Sequence, residues 1–452
     1  MATTNNSGGI SANRLAPDAY KNLFCDLHPA LDMREAKVEA ARCYFCHDAP
    51  CVEKCPTDID IPMFIRQILT GNTKGAAKTI FEQNILGGMC ARVCPTEQLC
   101  EEACVRNEAD EKPVKIGMLQ RVATDHLIDA NVHPFARAGK TGKTVAVVGG
   151  GPAGLSCAHR LATYGHDVTI IEAKPKIGGL NEYGIAAYKT PDNFAQKEVN
   201  YVLSIGGITV RSGVRLGVDA SLDDLAKEFD AVFLGLGMGA ANSLGMAGED
   251  AEGVLEAISY IGELRQADDL SALPIGANVV VIGGGMTAID IAVQAKKLGA
   301  ENVTIAYRRG AQHMKASKFE QELALTNGIT IEHWANPVRL INEGGKVCGV
   351  EFERSSLDKS GRVVGTGKSF SIDADMVFKA IGQQFVAGDV PENSLKLEKG
   401  KISVNEECKT NLLNVWAGGD CIAGGDDLTV AAVQDGKVAA ESINKFLTSG
   451  GK

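Results

Sequence analysis

Nine cysteines fall between residues 25 and 104, and seven of them form two blocks, Cys43-x2-Cys46-x4-Cys51-x3-Cys55-Pro56 and Cys94-Pro95-x4-Cys100-x3-Cys104. Thiolate-rich runs in which a cysteine precedes proline are a ligand pattern of iron-sulfur clusters, with the last cysteine of a run serving a second cluster. Structural zinc takes four ligands, usually as two close pairs, and only one Cys-x2-Cys is present here. A disulfide framework belongs to oxidising compartments, yet the chain opens on MATTNNSGGISANR, which is polar and has no apolar signal segment. The expectation is two 4Fe-4S clusters in a protein of the reducing cytoplasm.

Two glycine fingerprints could bind dinucleotides. Gly149-x-Gly151-x-x-Gly154 directly follows the apolar strand Thr144 to Val148 and opens a helix. Glycine there permits a tight turn and close approach of backbone N–H groups to a pyrophosphate, which the helix N-terminus favours. The following strand ends at Glu172, whose carboxylate can accept from both ribose hydroxyls. The second fingerprint, Gly283-x-Gly285-x-x-Ala288, includes Thr287 and follows VVVI. Aligned strand on strand, Tyr307 stands where the first unit has Glu172, and Arg308, Arg309 and Lys315 follow. A basic group in place of the acid favours NADP(H) over NAD(H); a solvated basic loop is the alternative.

A division of labour follows from the neighbouring residues. Lys176-Ile177-Gly178-Gly179-Leu180 makes a second glycine turn after the first fingerprint, suited to a flavin pyrophosphate. Asp420 follows a short apolar strand and precedes a helix, a context familiar from FAD-dependent pyridine-nucleotide reductases; otherwise it only caps that helix. FAD is expected at the first fingerprint and NAD(P)H at the second.

These sites need elements to hold them. At 452 residues the chain has room for two to four domains. Apolar residues at three and four spacing make 30–130 helical, including a continuous pattern over IPMFIRQILTGNTKGAAKTIFEQN. The fold class expected is α/β: an all-helical iron-sulfur domain, then two Rossmann-like dinucleotide-binding domains, the second inserted in the first. The boundaries expected are a disordered tail at 1–20, the cluster domain at 21–140, FAD-binding parts at 141–275 and 381–452, and the NAD(P)H domain at 276–380. The net charge of -10 argues against nucleic-acid or anionic-membrane partners, and no apolar run is long enough to span a bilayer.

Over roughly positions 25 to 450 the chain resembles the electron-input portion of dihydropyrimidine dehydrogenase, in the size of its separate bacterial (PreT-type) subunit; the glutamate synthase small subunit is similar in architecture. The resemblance implies that Cys43, Cys46, Cys51 and Cys104 bind the first cluster, and Cys55, Cys94, Cys100 and Gln120 the second. Gln120 is the feature that favours the dehydrogenase branch; without the resemblance it reads as a helix-surface glutamine. The resemblance further implies Leu180, Lys189 and Thr429 near FAD, with Arg308, Arg309 and Lys315 on the 2'-phosphate. Cys25, Cys90, Cys157, Cys348, Cys408 and Cys421 match no ligand position and are expected to be non-ligands.

The function so implied is hydride transfer from NAD(P)H to FAD, then single electrons through both clusters to an FMN- and iron-sulfur-containing barrel subunit that reduces uracil or thymine, in a heterotetramer of two input and two barrel chains. No side chain of this chain need act as a catalytic acid or base. The alternatives are an input module for another acceptor, such as glutamate synthase, and a non-enzymatic redox-sensing or scaffold subunit.

Overall fold

Short polar caps divide the cysteine-rich region of the computed structural model, which describes residues 15–386 and 395–449. Asp32 accepts the N–H groups of Arg34 and Glu35, and Glu35 accepts the Asp32 N–H, a capping box that starts the helix Met33–Ala40. Asp60 and Pro62 start Ile61–Leu69, and Asn72 starts Thr73–Gln83. The continuous helical pattern expected over 61–84 is therefore two helices, because the side chain of Asn72 takes the Gly75 N–H and begins a new one. Phe64, Ile65, Ile68, Ala76, Ile80 and Leu119 turn inward and are at most 1% exposed. Burying each of the large ones contributes about 1.5–3 kcal/mol, and such packing stabilises helices too short to persist alone.

The described chain divides into two units. One comprises His28–Glu182, Asp192–Gly239 and Phe385–Lys452; the other comprises Met1–Leu27, Tyr183–Pro191 and Ala240–Gln384. The first joins the cysteine-rich helices to a five-stranded parallel sheet ordered Val415–Ala417, Ala231–Leu234, Thr144–Val148, Asp167–Glu172, Ile208–Ser212. The second holds another five-stranded parallel sheet, ordered Val254–Glu256, Met376–Ala380, Asn278–Gly283, Asn302–Tyr307, Thr330–His333. In each, the strand before the glycine fingerprint is central, and the next strand pairs alongside it. The Rossmann-type fold and the insertion of one dinucleotide domain into the other are both present.

Three expectations about boundaries change. Residues 15–20 are not tail: Pro17–Leu23 is a helix, and Tyr20, 2% exposed, donates its hydroxyl to Leu298 O. Residues 1–14 lie outside the described part. The inserted unit begins at Ala240, not 276, because Val254–Glu256 hydrogen-bonds to Met376–Ala380 as a strand of its sheet. It also includes the excursion Tyr183–Pro191, and it ends at Gln384. A three-stranded antiparallel sheet, Ala335–Glu343, Lys346–Leu357 and Val363–Asp373, is an element the sequence reading did not anticipate. No helix among the described residues is long and apolar enough to cross a membrane.

Candidate functional site

The cysteines sort into two recesses within the first unit. Cys43, Cys46, Cys51 and Cys104 line one, with Tyr44 and Arg106 at its wall and about 370 Å³ of empty space. Cys55, Cys94, Cys100 and Gln120 line the other, of about 380 Å³. Cys90, expected to be a non-ligand, lines this second recess too. None of the thirteen cysteines is joined in a disulfide. Among the described residues no three His, Cys, Asp or Glu side chains converge to hold a single metal ion. The four expected side chains around each recess match the ligand number of a four-iron cluster.

Electrostatics agree with that sorting. Burial pushes the Cys51 thiol up to about 12, with Cys104, Cys43 and Cys46 adding to the rise. Burial likewise raises Cys43, again with Cys104 and Cys46 beside it. Cys94 is raised by a hydrogen bond with Cys90, by burial, and by Cys100 and Cys55. Cys100 is raised by burial, then by Glu101, by Cys55 and by Cys51 of the other recess. Desolvated thiols that disfavour one another's ionisation need a positive centre to become thiolates, which bound iron supplies.

Gln120 sits 8% exposed in the helix Ile116–Asp129, and its Nε2 donates to Gly87 O at 2.7 Å. A carbonyl oxygen only accepts, so the amide nitrogen must face it and Oε1 is the end left over. The Gly88 and Met89 N–H groups donate to Glu198 Oε1 at 2.8 and 3.0 Å. Burial pushes the Glu198 carboxyl up to about 8, against the pull of those N–H groups and of Arg92. Nothing in the local sequence marks Glu198, which lies in an ordinary amphipathic helix, Phe194–Leu203.

The first fingerprint has the geometry of a phosphate turn. Gly149 has φ of +100°, and a Cβ added at Gly154 would lie 1.9 Å from Gly149 O, so strand and helix meet as only glycine allows. The helix Pro152–Thr163 begins there. Glu172 accepts the Gly150 N–H at 2.8 Å and the Lys174 N–H at 2.8 Å. Gly179 packs against the same turn: its added Cβ would lie 2.7 Å from Gly151 Cα. Leu180 follows, and the next residue, Asn181, accepts the Thr429 hydroxyl at 2.9 Å. Thr429 opens the C-terminal helix Thr429–Thr448. Burial, with Asp427 beside it, pushes the Asp420 carboxyl up to about 6. The structure thus gathers Gly149, Gly151, Gly154, Glu172, Gly179, Leu180, Asp420 and Thr429 in one unit.

Lys189 belongs to the other unit. Its ammonium lies 2.7 Å from both Asp290 and Glu320, and Tyr188 donates to the same Asp290. Burial works against this charge, but the two carboxylates outweigh it and hold Lys189 above the ordinary lysine range.

At the second fingerprint, a Cβ on Gly283 would lie 2.2 Å from Ala380 O, and Gly285 has open space beside it. Thr287 and the fully buried Ala288 lie in the first turn of Met286–Leu298. The Tyr307 ring rests on Gly284, where an added Cβ would lie 2.4 Å from it. Trp334 N donates to Arg309 O and the Ser355 hydroxyl to Arg308 O, fixing the backbone of the basic pair. Arg308 and Lys315 are exposed, whereas Arg309 is half-buried and its Nε is enclosed without a partner. An orphaned guanidinium N–H fits an anionic ligand.

Residues 143–436 match the pyridine nucleotide-disulphide oxidoreductase family, and residues 20–132 match dihydropyrimidine dehydrogenase domain II, 4Fe-4S cluster. The chain is 34% identical over 427 residues to the NAD-dependent dihydropyrimidine dehydrogenase subunit PreT homolog of Salmonella typhi, covering 94% of this chain and 98% of that one. It is 32% identical over 454 residues to the glutamate synthase [NADPH] small chain of Escherichia coli, covering 94% of each. Among solved structures, FprA from Mycobacterium tuberculosis shares the fold, with a TM-score of 0.58 at 20% identity over 68% of this chain and 85% of that one. The chain belongs to the pyridine nucleotide-disulphide oxidoreductase family, in the group of NAD(P)H-dependent flavin and iron-sulfur electron-transfer proteins to which PreT and the glutamate synthase small chain also belong.

Proposed function

We propose that this chain is the electron-input subunit of a cytoplasmic dihydropyrimidine dehydrogenase, fed by NADPH in preference to NADH and paired with an FMN- and iron-sulfur-containing barrel subunit that reduces uracil or thymine. The observation that carries this reading is that Gln120 lines one recess with Cys55, Cys94 and Cys100 and has its amide nitrogen engaged by Gly87 O. The first recess would hold its cluster through Cys43, Cys46, Cys51 and Cys104. Bound FAD would supply hydride acceptance from the nicotinamide, and the clusters would supply one-electron transfer.

The residues of this chain bind and orient. The fingerprint N–H groups at Gly149, Gly151 and Gly154 would meet the FAD pyrophosphate at the start of the helix Pro152–Thr163. Glu172 would take the ribose, while Gly179, Leu180, Asp420 and Thr429 line the flavin side. Lys189 is retained as a flavin-site residue in this reading, although its charge is engaged by Asp290 and Glu320. Gly283, Gly285, Thr287 and Ala288 would receive the NADPH pyrophosphate, and Arg308, Arg309 and Lys315 its 2'-phosphate. None of these steps requires a proton from a side chain. A complex of two input and two barrel chains is the assembly this reading implies.

Similarity to the glutamate synthase small chain supports a second acceptor. The two readings separate when the purified chain is mixed anaerobically with a barrel subunit and NADPH, and uracil loss is followed. Uracil consumed only when both chains are present supports the dehydrogenase; reduced cofactors with uracil untouched by any barrel partner removes it and leaves the input chemistry standing.

A further inference from the structure

Two of the hydrogen bonds around the second recess share one peptide unit. The N–H of Gly88 donates to Glu198 Oε1 at 2.8 Å, and the carbonyl of Gly87, the other half of that peptide, accepts Gln120 Nε2 at 2.7 Å. Met89 N–H adds a second donor to the same Glu198 oxygen at 3.0 Å. Glu198 is 1% exposed, and its other oxygen, Oε2, is buried with no hydrogen-bond partner. A buried carboxyl group with one unsatisfied oxygen is costly, so its retention calls for an explanation.

The local sequence makes room for this arrangement. A Cβ at Gly88 would lie 2.8 Å from Glu198 Oε1 and 2.7 Å from the Phe194 ring, and a Cβ at Gly87 would lie 2.6 Å from Ile80 Cγ2. Any larger residue at either position would push the carboxyl group or the helix Gly87–Val93 away. Cys94 caps the far end of that helix, so its first turn and a cysteine of the second recess move together.

Hydrogen bonds in series polarise one another in a low-dielectric interior. An acceptor on the Gly88 N–H makes the Gly87 oxygen more negative. That oxygen then draws harder on the Gln120 N–H, and the electron density of the amide shifts toward Oε1. The same bond prevents the amide from turning its nitrogen toward the recess, where a donor could not ligate iron.

We propose that Glu198 is a positioning residue for the oxygen ligand of the second cluster: through the Gly87–Gly88 peptide it fixes the Gln120 amide with Oε1 toward the recess and increases the negative charge on that oxygen. The inference rests on the reading of Gln120 as a ligand.

The test uses the full chain loaded with its cofactors and reduced anaerobically, with the low-temperature EPR spectrum and midpoint potential of each cluster as readouts. Gln120→Ala, Glu198→Ala and Glu198→Gln are compared with the parent. Changed g-values and a shifted potential for one cluster in both alanine variants, with the other cluster untouched, are expected. Glu198→Gln keeps an oxygen that accepts from Gly88 and Met89, and it is expected to restore most of the parent spectrum. Should Glu198→Ala fail to fold, Glu198→Asp withdraws the oxygen while keeping a carboxyl group and is expected to show the same one-cluster change. A change in Gln120→Ala alone, with the Glu198 variants spectrally identical to the parent, overturns the positioning role and leaves the ligand reading intact. No change in Gln120→Ala overturns both.

Discussion

Glu172 accepts the backbone N–H of Gly150 at 2.8 Å, so the acid at the end of the second strand also holds the glycine turn in shape. Its second bond, from Lys174 N, fixes the chain leaving the strand. In Glu172→Ala the turn loses an anionic acceptor, a contact worth about 1.5–3 kcal/mol. FAD affinity should fall about tenfold to a hundredfold, read as flavin content after gel filtration. Full retention of FAD would remove Glu172 from the site.

Gly154→Ala tests the close approach of helix and strand. The new Cβ would meet Gly149 O at 1.9 Å, and overpacking of this kind costs about 1–3 kcal/mol or more. Lower thermal stability and lost flavin are expected together. Normal flavin content at the parent melting temperature would show that the turn has slack the structure does not reveal.

In the proposed reading, nucleotide choice rests on Arg309, the half-buried cation whose Nε has no partner. Arg309→Ala should raise KM for NADPH about tenfold or more while leaving kcat and the KM for NADH near the parent values, the signature of lost uniform binding. Equal effects on both nucleotides would mean that Arg309 supports the loop and does not read the 2'-phosphate.

Lys189 separates a structural role from a cofactor role. Its removal leaves Asp290 and Glu320 buried without their cation, and breaking such a pair costs about 3–5 kcal/mol. Lys189→Met should lower the melting temperature by several degrees. If flavin content fell while the melting temperature held, the lysine would serve FAD directly and the ion pair would be incidental.

Two carboxyl groups shift in opposite directions and give stability opposite pH slopes. Burial raises Glu198 to about 8, so the folded chain binds more protons than the unfolded one between about pH 4.3 and 8, and this group makes stability fall as pH rises across that window. Burial alone would raise Glu249 as well, but Ser243, Lys379 and the Leu244 N–H outweigh it and hold it at about 2. Its contribution is present above about pH 4.3 and is lost as pH falls through about 2. Glu198→Gln should therefore narrow the melting-temperature gap between about pH 5 and pH 8. An unchanged gap would place the titration elsewhere.

The parts legible in the sequence were those built from neighbours in the chain. Gly149 to Glu172 is one continuous strand, turn, helix and strand, and its pattern alone predicts the Rossmann-type turn. Residues 278–307 repeat that logic. What stayed hidden depends on distant partners. Val254–Glu256 looks like any short apolar stretch until it pairs with Met376–Ala380, more than a hundred residues away. Tyr20 sits next to a polar N-terminus but is buried against Leu298. Lys189 lies nine residues before Glu198, yet the two have unrelated surroundings, one set by Asp290 and Glu320 and the other by Gly88 and Met89. No local periodicity carries that information. Cys90 fits no ligand spacing, yet a helical step of four residues from Cys94 brings it to the same recess.

We propose transfer of electrons from pyridine nucleotide through FAD to two iron-sulfur clusters in this one chain. Its most direct measurement is anaerobic addition of NADPH to the purified chain, with iron, sulfide and flavin quantified beforehand and flavin absorbance and low-temperature EPR followed after. One FAD, iron and sulfide for two four-iron clusters, bleaching of the flavin and transfer of electrons to the clusters are expected. Iron for one cluster only, zinc in place of iron, or clusters that stay oxidised while the flavin is reduced would contradict it.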